Sequence, residues 1–297
     1  MATEAVHGAG HEMAHADAHA HGHDTPQHDY HLVDPSPWPA VGSLSGLFLT
    51  GGGVLWMHGY GSGPWITLLG FLGVLTTMFF WWRDVLRESY TGHHKAVVGR
   101  GLRMGMALFI TSEVFFFFAF FWAFFWGALY PPATEAISWP PAGVQPVPAW
   151  EIPFLNTMIL LLSGMTVTWA HHAVRDNDQP TAFRALLLTV VLGAIFTSFQ
   201  AYEYYHAIHE GFTLSDGIYG STFYMATGFH GFHVMIGTTF LLVCTIRAYN
   251  MTFRPEKHIG FEAAAWYWHF VDVVWLFLFV WVYWWGGSLN FATQPAG

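Results

Sequence analysis

One cysteine stands in 297 residues, Cys244, which excludes an intrachain disulfide and a thiolate metal cluster. It reads as a small apolar residue in a helix rather than a redox group. Charge is equally scarce. Only 10% of residues are Asp, Glu, Lys or Arg, against about 25% in a soluble globular protein, while 54% are hydrophobic and 19% aromatic. A chain this poor in charge and this rich in aromatics has a lipid bilayer as its solvent. Basic residues are the scarcer sign, 10 against 19 acidic, so nucleic acid is excluded as a partner. Residues 1–31 lack both Lys and Arg and any apolar run, so they do not read as a secretory signal.

What residues 1–29 do have is alanine and histidine. His11, His15 and His19 recur at helical spacing, which admits a metal-binding reading. Without cysteines or paired acids to complete a site, a disordered polar tail is the expected state.

Seven apolar runs follow, near 37–58, 64–86, 102–129, 152–175, 182–207, 218–249 and 260–286. Each is long enough to cross about 30 Å of hydrocarbon as a helix. Proline opens the first and fourth, and "FFWWRD" and "VYWWGG" read as interfacial aromatic belts. An all-α integral membrane protein of seven transmembrane helices is expected. It divides into a tail at 1–29, helices 1–2 over 30–90, an inner loop at 91–101, helices 3–7 over 102–287, and a short outer tail at 288–297.

All ten basic residues fall in or beside three loops: Arg83 to Arg103, Arg175 and Arg184, and Arg247 to Lys257. The positive-inside rule then places the N-terminus inside and the C-terminus outside. The outer loop 130–150 holds six prolines and reads as an extended surface segment. Glycines inside the spans, among them Gly70, Gly73, Gly164, Gly193, Gly228, Gly231 and Gly237, read as packing faces.

Ionisable groups at membrane depth are costly and mark bundle-facing or functional positions. Glu113 sits about 18 Å from the inner end of its apolar run, with no basic residue nearby in sequence. Desolvation favours its neutral form. It reads as a proton-relay group, a polar anchor to another helix, or a contact for something held in a cleft. Asp272 lies as deep, and His269, three residues earlier, shares its face for an internal hydrogen bond. His230 and His233 share another face, and Glu203 and His206 lie toward the outer end of the fifth helix. Histidine pairs on facing helices also suit haem or copper. Against that, His233 lies roughly 24 Å from the inner side and His269 roughly 14 Å, so the two do not meet at one depth. Interhelical hydrogen bonds are the reading preferred. A proton-coupled transporter carried by Glu113 and Asp272 would need internal repeats, which are absent from the sequence.

Several stretches together resemble subunit III of the haem–copper cytochrome c oxidases. They are "YHLVDPSPWP" at 30–39, "FFWWRDVLRESYTGHH" at 79–94, "LFITSEVFFF" at 108–117, "WEIPFLNT" at 150–157, "VTWAHHA" at 167–173, "YGSTFYMATGFHGFHVMIG" at 219–237 and "GFEAAAWYWHFVDVVWLFLFVWVYWWG" at 260–286. The resemblance implies a two-helix group and a five-helix group separated by a V-shaped cleft filled with phospholipid. It implies a subunit with no cofactor of its own, packed on catalytic subunit I, which with subunit II carries the haem and copper. The whole complex takes electrons from cytochrome c to oxygen and pumps protons. It identifies Glu113 with the family's carbodiimide-reactive carboxyl and Trp82, Arg87, His94 and Arg247 with lipid head-group contacts. His230, His233, His269 and Asp272 are expected to form an internal polar network. No metal ligand and no catalytic residue is expected in the chain. The long leader favours a bacterial cytoplasmic membrane over a mitochondrial inner one.

Overall fold

In a computed structural model, the structure describes residues 30, 34–130, 139–141 and 143–288. The His-rich tail, most of the 130–150 loop's first half and the C-terminal tail lie outside the described residues. Among the described residues, seven helices are long and apolar enough to cross a membrane. They are α1 Trp38–Met57, α2 Gly63–Tyr90, α3 Ala96–Leu129, α4 Ile152–Arg175, α5 Gln179–His209, α6 Gly217–Tyr249 and α7 Ile259–Phe277. α7 continues without a break as a π-helix over Leu278–Trp285 and a last α turn, Gly286–Ser288. The apolar runs place the helices correctly but shorten several of them. α3 begins at Ala96 rather than 102, because Arg100 and Arg103 ride on its first turns, where hydropathy falls but helical backbone does not.

The chain divides into two compact units, residues 1–98 and 99–297. The first is the α1–α2 hairpin, held by close backbone approach. A Cβ at Gly52 would stand 2.5 Å from the Thr67 amide nitrogen, and one at Gly70 would strike the backbone of Leu49. Only glycine permits that spacing. At the basic end of the hairpin the Trp38 ring stacks on Phe80, 5.3 Å apart, and its Nε1–H donates to Asp84 Oδ2 at 2.6 Å.

The second unit is the α3–α7 bundle, cored by Phe196, Trp268, Trp275 and Tyr283. Lipid is as apolar as leucine, so packing and polar contacts hold such helices together. Two indoles of α7 supply both. Trp268 Nε1–H donates to Ser163 Oγ and Trp275 Nε1–H to Thr157 Oγ1, each at 2.9 Å, pinning α7 to α4. Gly193 of α5 and Gly237 of α6 form the slot for Trp268: a Cβ at either would lie 2.8 or 2.9 Å from a ring carbon.

The phenylalanine run of α3 is an interface as well as a membrane surface. Phe117, Phe121 and Phe125, spaced by four, meet Phe270, Phe277 and Trp281 of the α7 strand of helix. Phe116 and Phe120 both meet Phe229 of α6, at 5.1 and 5.2 Å. Phe115, Phe118 and Trp122 face outward.

Candidate functional site: the Glu113–His233 pair

Glu113 lies on the same stripe of α3 as Phe116 and Phe120, so the helix that receives those rings also receives the carboxyl. Its Oε2 is 2.9 Å from His233 Nε2 of α6. The side chains are 21% and 9% exposed, shielded by Phe116 and Phe117 at 5.9 and 5.0 Å from the imidazole and by Tyr267 on the far side.

The protonation of the pair follows from its partners. His233 Nδ1 is 2.7 Å from the Phe229 carbonyl, which accepts only, so Nδ1 carries a hydrogen. Nε2 therefore offers either a lone pair to a protonated Glu113 or an N–H to an ionised one. In both forms one proton lies between the two groups, and the pair is neutral as a whole. An uncharged unit is what a bilayer interior tolerates.

A second imidazole–carboxyl pair, His269 and Asp272 of α7, is arranged differently. The Thr168 hydroxyl donates to the Gly164 carbonyl at 2.9 Å, so its oxygen accepts from His269 Nε2 at 3.1 Å. Nδ1 of His269 then faces Asp272 Oδ2 at 3.6 Å, an ion-pair distance longer than the hydrogen bond expected from sequence. Gly164 leaves room for that carboxylate, since a Cβ there would strike Oδ2.

His230 and His233 share a face of α6 but do not meet a common partner. His230 is buried against Trp275 and Phe196, and its Nε2 donates to the Val271 carbonyl at 3.1 Å. The four polar residues expected as one network are thus three separate contacts. Both nitrogens of His233 and Nε2 of His269 are hydrogen-bonded within the chain. Among the described residues, no three His, Cys, Asp or Glu side chains converge as a metal cluster would require.

The residues matched to lipid contacts lie at the basic ends of the helices. Trp82 and Arg87 are exposed on α2, and His94 is half-buried in the turn before α3. Arg247, near the end of α6, lays its guanidinium over the Phe253 ring at 4.7 Å, and its buried Nε has no protein partner.

The sequence reading did not find the Glu113–His233 bond, although one signal for it existed. Counted from Ala96, Glu113 lies about 26 Å along α3, and His233 about 24 Å from the Tyr249 end of α6. The later start assigned to α3 hid that match of depth. Nothing in the sequence marked the contact of Glu203 with Tyr283, or the π-helix that carries Tyr283.

The family model "Cytochrome c oxidase subunit III" matches residues 28–287. A protein named cytochrome c oxidase subunit 3 from Arabidopsis thaliana is 60% identical over 265 residues, 89% of this chain and 99% of its own. Relatives of the same name from Chondrus crispus and Cyprinus carpio are 58% and 54% identical, over 88% and 87% of this chain and 96% and 98% of theirs. With the family model matched over residues 28–287 and relatives up to 60% identical along nearly their whole length, the chain belongs to the cytochrome c oxidase subunit III family.

Proposed function

We propose that this chain is the lipid-organising, non-redox core subunit of a proton-pumping cytochrome c oxidase. The complex passes electrons from cytochrome c to oxygen. The chain packs on catalytic subunit I, alongside subunit II, and the haem and copper are theirs. Its own imidazoles serve as interhelical bonds, as His233, His230 and His269 do. The N-terminus lies inside and the C-terminus outside, following the basic loops. Phospholipids are bound at the basic ends of its helices. Trp82, Arg87, His94 and Arg247 hold their head groups, an indole and cations at the depth where anionic phosphates lie. The position of Arg247 in the last turn of α6, at the basic end, supports that assignment.

The observation that carries the reading of Glu113 is its bond to His233. A carboxyl bound to one imidazole, which is itself anchored to a backbone carbonyl, is built to stay in place. In that role it ties α3 to α6, steadies the oxidase during turnover and supports proton uptake and oxygen access from the side. The plant, algal and animal sources of the relatives favour the mitochondrial inner membrane. The Ala- and His-rich leader, which precedes the family match, favours a bacterial one. Respiring membranes are the setting in both.

The test is a Glu113→Gln oxidase reconstituted in sealed vesicles. The structural role expects assembly, bound phospholipid and proton pumping all retained. Pumping lost with assembly and lipid intact would make Glu113 a proton relay instead.

A further inference from the structure

Glu203 of α5 is a third carboxyl within the spans, after Glu113 and Asp272, and the function proposed for the chain makes no use of it. It lies about 9 Å before the end of α5, remote from the basic loops. It is 3% exposed. Its Oε1 accepts two bonds, from the Tyr283 hydroxyl at 2.7 Å and from Gln200 Nε2 at 3.0 Å. Its Oε2 accepts none. Tyr283 reaches it from the π-helical segment, and Gln200 also bonds the Tyr283 oxygen at 3.3 Å. Both available donors are therefore spent on one oxygen.

Glu203 also lines a cavity of about 60 Å³ beneath the proline-rich segment, bounded by Gln145, Pro146, Pro148, Glu151, His206 and Glu210. That volume holds a few water molecules. The cavity leads to solvent past His206 and Glu210, an exposed pair 3.1 Å apart.

We propose that Glu203 is a proton-binding site that exchanges with the aqueous phase at this end of the bundle through the cavity. The charges around it decide its resting state. From α5 itself come His206 and Glu210, from the segment before α4 comes Glu151, and from the α7 extension only the Tyr283 phenol. The α6 side offers Asp216 and the phenol of Tyr224, which is spent on the Phe212 carbonyl at 2.7 Å. Among the described residues that line the cavity, none is Lys or Arg. An ionised Glu203 would leave Oε2 as a buried, uncompensated charge, whereas a proton on Oε2 removes that charge, and it exchanges when Oε2 turns to the water of the cavity that the residue lines. The site has one ligand, the proton, taken up from and returned to water with no other group consumed. It is separate from the Glu113–His233 pair and stands or falls independently of that pair's role.

Infrared spectroscopy of the intact oxidase tests it through the carbonyl stretch of protonated carboxyls. A band at neutral pH that disappears in Glu203→Gln, persists in Glu113→Gln and shifts within minutes of transfer to heavy water is the expected result. Tyr283→Phe removes one bond to Oε1 and should move the same band, which keeps the test open where Glu203→Gln does not assemble. If Glu203→Gln, or Tyr283→Phe where the first variant fails to assemble, leaves every carboxyl band unchanged, Glu203 is ionised and the proposal is overturned. A Glu203 band that stays unshifted in heavy water for hours marks a sealed structural acid and overturns it too.

Discussion

His233 Nε2 lies 2.9 Å from Glu113 Oε2, joining helices 120 residues apart in the chain. Because the Phe229 carbonyl fixes the hydrogen on Nδ1, the bond needs one proton between the partners, and a glutamine amide can supply a hydrogen in its place. Glu113→Gln is therefore expected to melt within about 1 kcal/mol of the parent. Glu113→Ala strands the imidazole and costs about 1–3 kcal/mol. Thermal unfolding of the purified complex, read for both variants side by side, checks the difference. Equal losses would mean that the bond contributes nothing.

Trp268 sits in a slot whose walls are glycine, so the smallest added side chain is already too large. Gly193→Ala puts a methyl carbon 2.8 Å from the ring and is expected to cost about 1–3 kcal/mol by overpacking. Gly231→Ala, on α6 with nothing within 4 Å, is expected to be neutral or slightly stabilising, since alanine is the better helix former. Yield and melting temperature of the two variants separate a packing role from a general preference for small residues.

Loss of the Ser163 hydroxyl leaves the Trp268 indole without its buried acceptor. Ser163→Ala is expected to cost about 1 kcal/mol, the scale of interhelical hydrogen bonds in membranes. Ser163→Thr keeps the oxygen and should restore much of the loss. Tryptophan fluorescence during denaturation reads both.

At the start of α5, Asp178 caps the helix by accepting from the Thr181 amide at 3.1 Å. Hydrogen bonds from Thr181 hold its carboxyl below the ordinary aspartate value. A depressed carboxyl stabilises the fold above the unfolded value, about pH 4, and loses that contribution as pH falls through the lower, folded value. Being exposed, it makes a small contribution. Asp178→Asn keeps a capping oxygen but has no proton to gain, so this part of the acid sensitivity should vanish in a pH titration of helix content.

How much of this was legible in sequence varied with the physics. Helix number and rough position follow from hydropathy because a bilayer enforces length. Glycines such as Gly193 and Gly237 were readable as packing positions, yet the bulky partner, Trp268, was not, since nothing in one helix names the residue facing it on another. Helix ends were the weak point. Arg100 and Arg103 lower hydropathy without ending α3, and that misplaced boundary hid the level match of Glu113 with His233. The partners of His230, His233 and His269 were not legible for a related reason: a shared face says which way a side chain points, not which helix stands there. The π-helix at Leu278–Trp285 alters that direction again and brings Tyr283 to Glu203, beyond what a 3.6-residue period foresees.

The membership of the chain in an oxidase is tested most directly by purification through a tag on the C-terminus in mild detergent, followed by an optical spectrum and metal analysis. The expected result is a larger membrane subunit co-purifying with haem and copper, while the chain separated from it is colourless and free of metal. Haem or copper travelling with the separated chain would make its histidines ligands and contradict the assignment of His233 and His269 to internal hydrogen bonds.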